Sequence, residues 1–447
     1  MAGRKTASRP PGVRQLALEI VCAVEAGGFC DVLLGETLTR RQHLTPRDAA
    51  LLTKMAYGVF AWRDRLDWTL APLSRKPFDQ LDPEVRGCLR LGLFQLLFLD
   101  RIPPHAAVST SVDLAREAAG RGAGGLVNAL LRRVQREGER PFPKGPRHAR
   151  LAVEFSHPEW LVQRWGQELG WDTTRELLLA NQEAAPTNLR VPHGQDRKAL
   201  MDVLGQHSIA AYPGEFSQRA LRIEGPFGAL KTSRGDFSDL VAQSEASLLV
   251  GELMDPQPGE TIADLCAAPG GKTELLCEGT GPHGHVVATD RASSGARRLV
   301  SRGLSSVARG DAAKPPFPAE SFDAVLVDAP CSGLGTLRGH PEIRWRRQPE
   351  DLADLARRQA EILAGGASLV RPGGRLVYAT CTSIREENDA VVEAFLQNHP
   401  EFTLQPASRI LATDQVDRIT RAGFLETSPL VGGLDAFFAA RLQRGAA

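Results

Sequence analysis

The stretch Val325-Leu326-Val327-Asp328-Ala329-Pro330-Cys331-Ser332-Gly333 decides how the rest of the chain is read. Its lead-in, from 322 to 327, is short, apolar and rich in valine, the pattern of a strand buried on both faces of a parallel sheet. Pro330 and Gly333 stop the strand, and a carboxylate and a thiol emerge where it ends. In open α/β sheets, ligands sit at the carboxyl ends of the strands. A thiol delivered to that rim can act as a nucleophile once its pKa is lowered. The same residues also fit a broken strand with Cys331 as a small buried hydrophobe.

Working outward, strands are predicted at 261–265, 285–289, 305–307, 322–327 and 374–379, with helices starting near Gly271, Arg291, Pro349 and Arg385. This alternation predicts a doubly wound, Rossmann-like α/β domain. Asp264, Asp290, Asp311 and Asp328 follow four successive strands. Any one of them could be a cap or turn residue; the set points to a ligand. The loop Asp264-Leu-Cys-Ala-Ala-Pro-Gly-Gly-Lys-Thr273 opens a helix, and its small residues let a ligand approach backbone amides. A phosphate-binding G-x-x-x-x-G-K-[ST] loop needs glycine where Cys266 stands, and G-x-G-x-x-G is absent, which argues against a triphosphate. Asp290 lies where an acid grips ribose hydroxyls, and Asp311 where one meets an adenine edge, so an adenosyl ligand fits best. The candidate cofactor-binding residues are Cys266, Ala267, Ala268, Pro269, Gly270, Gly271, Lys272, Asp290, Asp311 and Asp328.

The next strand, Leu376-Val-Tyr-Ala-Thr-Cys381-Thr382, brings a second cysteine to the same rim. Neighbouring fourth and fifth strands would let Cys331 and Cys381 face one pocket; two unrelated buried thiols are the alternative. Between them, Leu337-Arg-Gly-His-Pro-Glu-Ile-Arg-Trp-Arg-Arg347 interleaves arginine with tryptophan. Arg344, Trp345, Arg346 and Arg347 suit phosphate contact and base stacking, and with Arg338 and His340 of the same stretch the nucleic-acid-binding candidates are Arg338, His340, Arg344, Trp345 and Arg346. A surface loop with a buried tryptophan has the same composition.

The rest of the chain is organised differently. At 447 residues, two or three domains are expected. Helical spacing dominates from Val13 to about Arg140, with helices predicted at 13–26, 46–60, 63–73, 82–99, 106–119 and 124–137. Thr45 before Pro46 is read as an N-cap. After the linker Pro141-Phe-Pro-Lys-Gly-Pro146 and a helix starting at His157-Pro-Glu-Trp160, short strands at 187–191, 209–212 and 220–223 surround a helix at 196–206. The predicted domains are an all-α bundle at 1–145, a small α+β module at 146–238 and the α/β domain at 239–447.

Composition narrows the partners. Cys22, Cys30, Cys88, Cys266, Cys277, Cys331 and Cys381 form no C-x-x-C pair, which argues against a disulfide framework or a structural zinc site. No metal is expected. No apolar run approaches a membrane span, and the basic start Met1–Pro10 lacks an apolar signal core, so a cytoplasmic protein without membrane association is expected. The net charge of +1 hides an asymmetry: residues 1–150 hold 24 basic against 15 acidic residues, the remainder 30 against 38. A basic helical half fits an anionic polymer, and equally a solvated helix surface.

Taken together, Asp264-Leu-Cys-Ala-Ala-Pro-Gly-Gly-Lys-Thr273, Asp328-Ala-Pro-Cys-Ser332, Arg338-Gly-His-Pro-Glu-Ile-Arg-Trp345 and Tyr378-Ala-Thr-Cys381 resemble the Sun/RsmB (Fmu) group of ribosomal RNA cytosine-5 methyltransferases. Arg65-Leu-Asp-Trp68, Leu91-Gly-Leu-Phe-Gln-Leu-Leu97, Arg101-Ile-Pro-Pro-His-Ala106 and Leu126-Val-Asn-Ala-Leu-Leu-Arg132 resemble that group's amino-terminal domain, itself similar to the RNA-binding antitermination factor NusB. The resemblance implies S-adenosylmethionine as cofactor and small-subunit ribosomal RNA as substrate; a monomer is expected. It implies Cys381 as the nucleophile that adds to cytosine C6, Cys331 as the residue that helps free the product, and Asp328 as the contact to the base. Three departures stand out: Thr382 replaces the usual serine, Gln243-Ser244-Glu245 replaces the usual Gln-Asp, and Gly433-Leu-Asp-Ala-Phe-Phe438 matches the group's ending loosely. The rival readings are a methyltransferase for transfer RNA or large-subunit RNA, a DNA cytosine-5 methyltransferase with Cys331 as nucleophile, and a non-catalytic RNA-binding factor.

Overall fold

The computed structural model describes residues 11–41, 44–225, 237 and 239–446, so the start Met1–Pro10 lies outside the described residues. The chain divides into two compact units, one running to Ala184 and including Arg338–Arg346, the other comprising Ala185–Leu337 and the chain from Arg347 onward.

The first unit is all-helical: α1 (Val13–Glu25), α2 (Cys30–Arg40), α3 (Pro46–Ala61), α4 (Arg63–Leu70), α5 (Pro83–Phe98), α6 (Pro104–Glu137), α7 (Arg147–Glu154), α8 (Glu159–Leu169) and α9 (Trp171–Ala180). The centre is α5, which buries ten of its residues, Gly87, Gly92 and Arg90 among them, the all-round burial of a helix enclosed by others. Gly58 of α3 lets that packing close, because a Cβ there would lie 2.0 Å from the Phe94 ring. Thr45 caps α3, its hydroxyl accepting the Asp48 N–H at 3.1 Å. The two helices predicted at 106–119 and 124–137 form α6, interrupted at Gly120, whose φ of 86° is non-helical.

Residues 338–346 explain a helix that the sequence pattern does not reveal. No local side chain caps the start of α2; instead the Glu342 carboxylate accepts the Cys30 N–H at 3.2 Å, a partner 312 positions away. Arg344 is fully buried in the same unit and donates to the Ser156 carbonyl at 3.0 Å and the Asn181 carbonyl at 3.4 Å. The Trp345 indole donates to the Phe60 carbonyl at 2.7 Å, with Arg63 over its face at 5.1 Å. Arg346 donates to the Val24 carbonyl at 2.9 Å and to Gly28. The assignment of Arg344 to phosphate contact is therefore corrected: with no exposed surface, its guanidinium satisfies carbonyls at helix ends. Arg338 is also buried, and His340 is partly exposed, 3.6 Å from Asp31.

The second unit contains two sheets. The smaller, with strand order β2-β3-β1-β4, is antiparallel and comprises β1 (Thr187–Arg190), β2 (Ala211–Pro213), β3 (Ala220–Ile223) and β4 (Val241–Ala242), with α10 (Arg197–Gln206) between β1 and β2. The larger alternates strand and helix after α11 (Glu245–Met254): β5 (Thr261–Asp264), α12 (Gly271–Thr280), β6 (His285–Asp290), α13 (Ser293–Ser301), β7 (Val307–Arg309), β8 (Phe322–Asp328), α14 (Asp351–Leu369), β9 (Val370–Thr380) and α15 (Asp389–Asn398). It ends with β10 (Phe402–Gln405), β11 (Thr420–Arg421), β12 (Phe424–Glu426) and β13 (Phe438–Arg444). The order is β11-β12-β13-β9-β8-β5-β6-β7, with β10 beside β13. Strands β5 to β9 are parallel, whereas β13 runs antiparallel to β9. The order reverses between β5 and β8, which places the ligand crevice at the ends of those two strands. Every residue of β8 before Asp328 is buried, in keeping with its apolar run.

Replacing Arg344 by alanine strands buried carbonyls and leaves a cavity, so the first unit should lose roughly 3 kcal/mol. Chemical unfolding checks this, and an unchanged midpoint would return Arg344 to a surface role.

Candidate active site

The site grows from three strand ends. Where β5 stops, Asp264 is buried and accepts the Thr273 hydroxyl at 2.7 Å. Burial raises its pKa to about 7, against the opposing effect of that hydrogen bond, and Asp328 and Asp290 add to the rise. The loop that follows is tied down by its own backbone: Leu265 N–H donates to Leu326 at 3.0 Å and Ala267 N–H to Thr289 at 2.9 Å. Gly270 makes the turn into α12 with φ +108°, a conformation closed to most side chains. Ala267 is buried, Cys266 and Ala268 are partly exposed and Pro269 is exposed. Burial, then Asp264, Asp328 and Asp290, push the Cys266 thiol up.

A residue without any signal in the sequence pattern braces this loop from the smaller sheet. Arg190 of β1 donates to the Gly271 carbonyl at 2.8 Å, to Gln243 at 3.0 Å and to Glu274 at 2.8 Å. Ser244, one of the departures noted above, caps α11 by accepting the Ser247 N–H at 3.3 Å.

Two acids follow on β6 and β7. Asp290 ends β6 and accepts the Ala292 N–H at 2.7 Å; a Cβ on Gly295 would meet its carboxylate at 2.4 Å, so only glycine leaves the acid its place at that helix start. Asp311, beyond β7, accepts the Ala313 N–H at 3.1 Å and pairs with Arg358, whose hydrogen bond holds the carboxyl below its ordinary range.

The two candidate thiols lie just beyond the ends of β8 and β9. These strands pair in parallel with Asp328 opposite Ala379, and the Ala329 N–H donates to the Ala379 carbonyl at 2.8 Å. That register brings the two thiols together: Cys331 Sγ and Cys381 Sγ are 3.3 Å apart. Their hydrogen bond, then burial and the charge of Glu387, raise the Cys331 pKa well above that of a free thiol. Lys272 reaches over from α12 to Asp328, Nζ to Oδ2 at 2.8 Å, and sits 5.2 Å from the Phe437 ring centroid. Burial disfavours its charge, but Asp328, Cys381 and Asp264 together hold its pKa above that of a free lysine.

The loops carrying the thiols are held at several points. Glu387 is completely buried and accepts the Ser332 N–H at 2.8 Å and the Gln359 amide at 2.9 Å. Gln359 also donates to the Pro330 carbonyl at 3.0 Å, and Arg347 to the Ser332 carbonyl at 2.8 Å. Ser332 and Thr382 share a hydroxyl hydrogen bond of 2.8 Å, so threonine keeps the hydroxyl of the usual serine in use. Gly335 donates to the Cys381 carbonyl at 3.0 Å, and a Cβ there would strike the Ala436 carbonyl at 1.9 Å. Sequence reasoning reads Arg347 as a phosphate contact and does not reach Glu387 or Gln359, because no local spacing links them to a cysteine; only Glu386-Glu387-Asn388, closely following Cys381, offers a cue. Among the described residues, one cluster has metal-ligand chemistry, Asp31, His340 and Glu342 in the first unit, where Glu342 already caps α2.

Comparison with known proteins agrees with this arrangement. The model of the 16S rRNA methyltransferase RsmB/F family matches residues 252–443, the NusB family model residues 12–136, and an RsmF/B-like ferredoxin-like domain residues 157–229. The probable ribosomal RNA small subunit methyltransferase B of Bacillus subtilis is 34% identical over 445 residues, covering 97% of this chain and 98% of its own. The chain belongs to the RsmB/F family of 16S rRNA methyltransferases. Within that family, the ribosomal RNA small subunit methyltransferase B of Vibrio cholerae is 36% identical over 391 residues, covering 84% of this chain and 88% of its own. The crystal structure of PH0851 superposes with a TM-score of 0.85 at 28% identity, covering 98% of this chain and all of that one. A methyltransferase homologue from Pyrococcus horikoshii shares the fold, with a TM-score of 0.54 at 23% identity over 67% of this chain.

Asp264 sets a pH dependence. Its folded pKa lies above its unfolded one, so its contribution is fully present below the ordinary carboxylate range and is lost as pH rises to about 7. Unfolding free energies measured across that window should fall less steeply for Asp264→Asn than for the native chain; parallel curves would mean that the carboxyl is ionised throughout.

Proposed function

We propose that this protein transfers the methyl group of S-adenosylmethionine to C5 of a cytosine in 16S ribosomal RNA. The observation that carries the reading is the pair of thiols 3.3 Å apart on adjacent strand ends, beside the Lys272–Asp328 ion pair. The residues present fit the cofactor. The loop from Cys266 to Lys272 at the switch point offers small side chains and the open amides of α12, Asp290 stands where ribose hydroxyls are held, and Asp311 follows β7. The cofactor supplies the methyl group.

The chain's own residues then divide the work. The Cys381 thiolate adds to C6 of a cytosine turned out of its stack, which makes C5 electron-rich enough to accept the methyl group. Loss of the C5 proton with expulsion of the Cys381 sulfur restores the ring. Cys331 is assigned to this second stage, because its sulfur lies 3.3 Å from that of Cys381 and so stands beside the leaving sulfur. Membership of the RsmB/F family favours Cys381 as the attacking thiol over the arrangement in which the Pro-Cys thiol attacks. One Asp328 oxygen is held by Lys272, so the carboxylate is oriented to accept from the cytosine edge with its other oxygen. The basic helical part, 1–145, and the small module, 146–238, are read as the parts that hold RNA for the catalytic part, 239–447. The reading places a monomer in the cytoplasm, where its RNA is made.

Separate replacement of the cysteines tests the division of labour. Cys381→Ala should abolish methyl transfer, while Cys331→Ala should accumulate a covalent protein–RNA adduct visible as a slow band on denaturing gels. A Cys381→Ala protein that methylates RNA normally would sink the proposal.

RNA affinity should also fall steeply with salt, on the order of tenfold or more between about 50 and about 200 mM, because phosphate contacts release counterions. Filter binding over that range checks it, and a flat profile would remove the helical part from RNA binding.

A further inference from the structure

We propose that Cys331 and Cys381 are also an oxidative modification site, at which a hydroperoxide converts the two thiols into a reversible cross-link within the chain. Three observations support it. The sulfurs are in contact at 3.3 Å, and both cysteines are partly exposed, unlike the buried Cys30 and Cys88. The two loops are pinned to each other, by the Ser332–Thr382 hydroxyl pair at 2.8 Å and by the Gly335 N–H on the Cys381 carbonyl at 3.0 Å. Behind them, Glu387 and Gln359 fix the Pro330–Ser332 backbone. Sulfurs held this way react as an intramolecular pair, which outcompetes any thiol arriving from solution. Finally, the Lys272 ammonium is held at the same strand ends, its Nζ 2.8 Å from the carboxylate of Asp328, three residues before Cys331.

The chemistry balances with the hydroperoxide as sole oxidant. The Cys381 thiolate attacks the outer peroxide oxygen, the O–O bond breaks, and an alcohol, or water from hydrogen peroxide, departs with the sulfur left as sulfenic acid. Cys331 then attacks that sulfur, forming the S–S bond and releasing water with its own proton and the sulfenic hydroxyl. The peroxide gains two electrons and the thiol pair loses two. A second dithiol reverses the step by exchange. If the roles proposed above hold, the cross-link removes nucleophile and release residue together, and methyl transfer stops until the pair is reduced. The nearby Cys331 also protects Cys381, since a sulfenic acid captured as a disulfide is spared irreversible oxidation.

The experiment treats the full-length protein with hydrogen peroxide, blocks remaining thiols with N-ethylmaleimide, and maps peptides without reduction. The expected result is a linked peptide pair containing Cys331 and Cys381, lighter by two hydrogens, with methyl transfer lost in step and restored by dithiothreitol. In Cys331→Ala, the same treatment should carry Cys381 to sulfinic or sulfonic acid, which dithiothreitol does not reverse. Separate oxidation of the two thiols in the native chain, or pairing of either with Cys266, would overturn the proposal. A cross-link that forms while methyl transfer continues unchanged would uphold the pair and overturn instead the role given to Cys381.

Discussion

The pairing of β8 with β9 is the constraint on which the site depends. Side chains alternate along a strand, so a slip of one residue would send the buried set of β8 to the wrong face and separate the thiols. The register is enforced from both directions. Val325 and Val327 pack into the core on one side of the sheet, Leu326 with Val377 and Ala379 on the other, so neither strand has a polar face that could tolerate displacement. At the strand ends, Ala329 N–H on Ala379 and Gly335 N–H on Cys381 carry the alignment into the loops. The antiparallel β13 then covers β9, and the approach of Ala436 to Gly335 leaves no room for a side chain. The thiol contact is thus the end product of strand packing.

Electrostatics within that frame separate groups that look alike in sequence. Asp264 and Asp328 both end central strands, but only Asp328 has a cation against it. Asp264 has burial and two acidic neighbours, so its proton is held to about pH 7. Two carboxyls at neighbouring strand ends therefore meet one lysine on unequal terms. An acid also stands behind one of the thiols: the buried Glu387 helps to raise the pKa of Cys331.

Much of this architecture is legible in the order of residues alone. Periodicities of two and of 3.6 residues locate the five parallel strands and most helices of the bundle, because those elements are buried by neighbours close in the chain. The order of acids and cysteines at strand ends follows from the same alternation. What escapes depends on distant partners. The α2 helix buries only Cys30 and Leu34 and takes its cap from Glu342, so no local signal announces it. β13 enters the sheet after a long irregular segment, and Glu387 acts on the Cys331 loop through a backbone N–H that carries no sequence signature. Arg344 misleads for a different reason. Guanidinium and indole groups serve phosphate and stacked bases, but serve helix-end carbonyls equally well, and composition does not distinguish the two.

Arg190 shows how the smaller sheet becomes part of the catalytic unit. A guanidinium buried to this degree is tolerated only if its donors and charge are matched, and here they are: Gly271 and Gln243 accept, and Glu274 and Glu278 neutralise. Arg219 of the same module reinforces the contact through Glu278, and Glu274 is shared with Arg302 at 2.6 Å. The acceptor carbonyl belongs to the first residue of α12, the helix that also carries Lys272. A single side chain of β1 therefore fixes the start of the helix whose second residue holds Asp328. Displacing the smaller sheet would pull Lys272 from Asp328 and loosen the turn at Gly270, so the module, the glycine loop and the Lys272–Asp328 pair form one mechanically continuous element rather than a domain with an attachment.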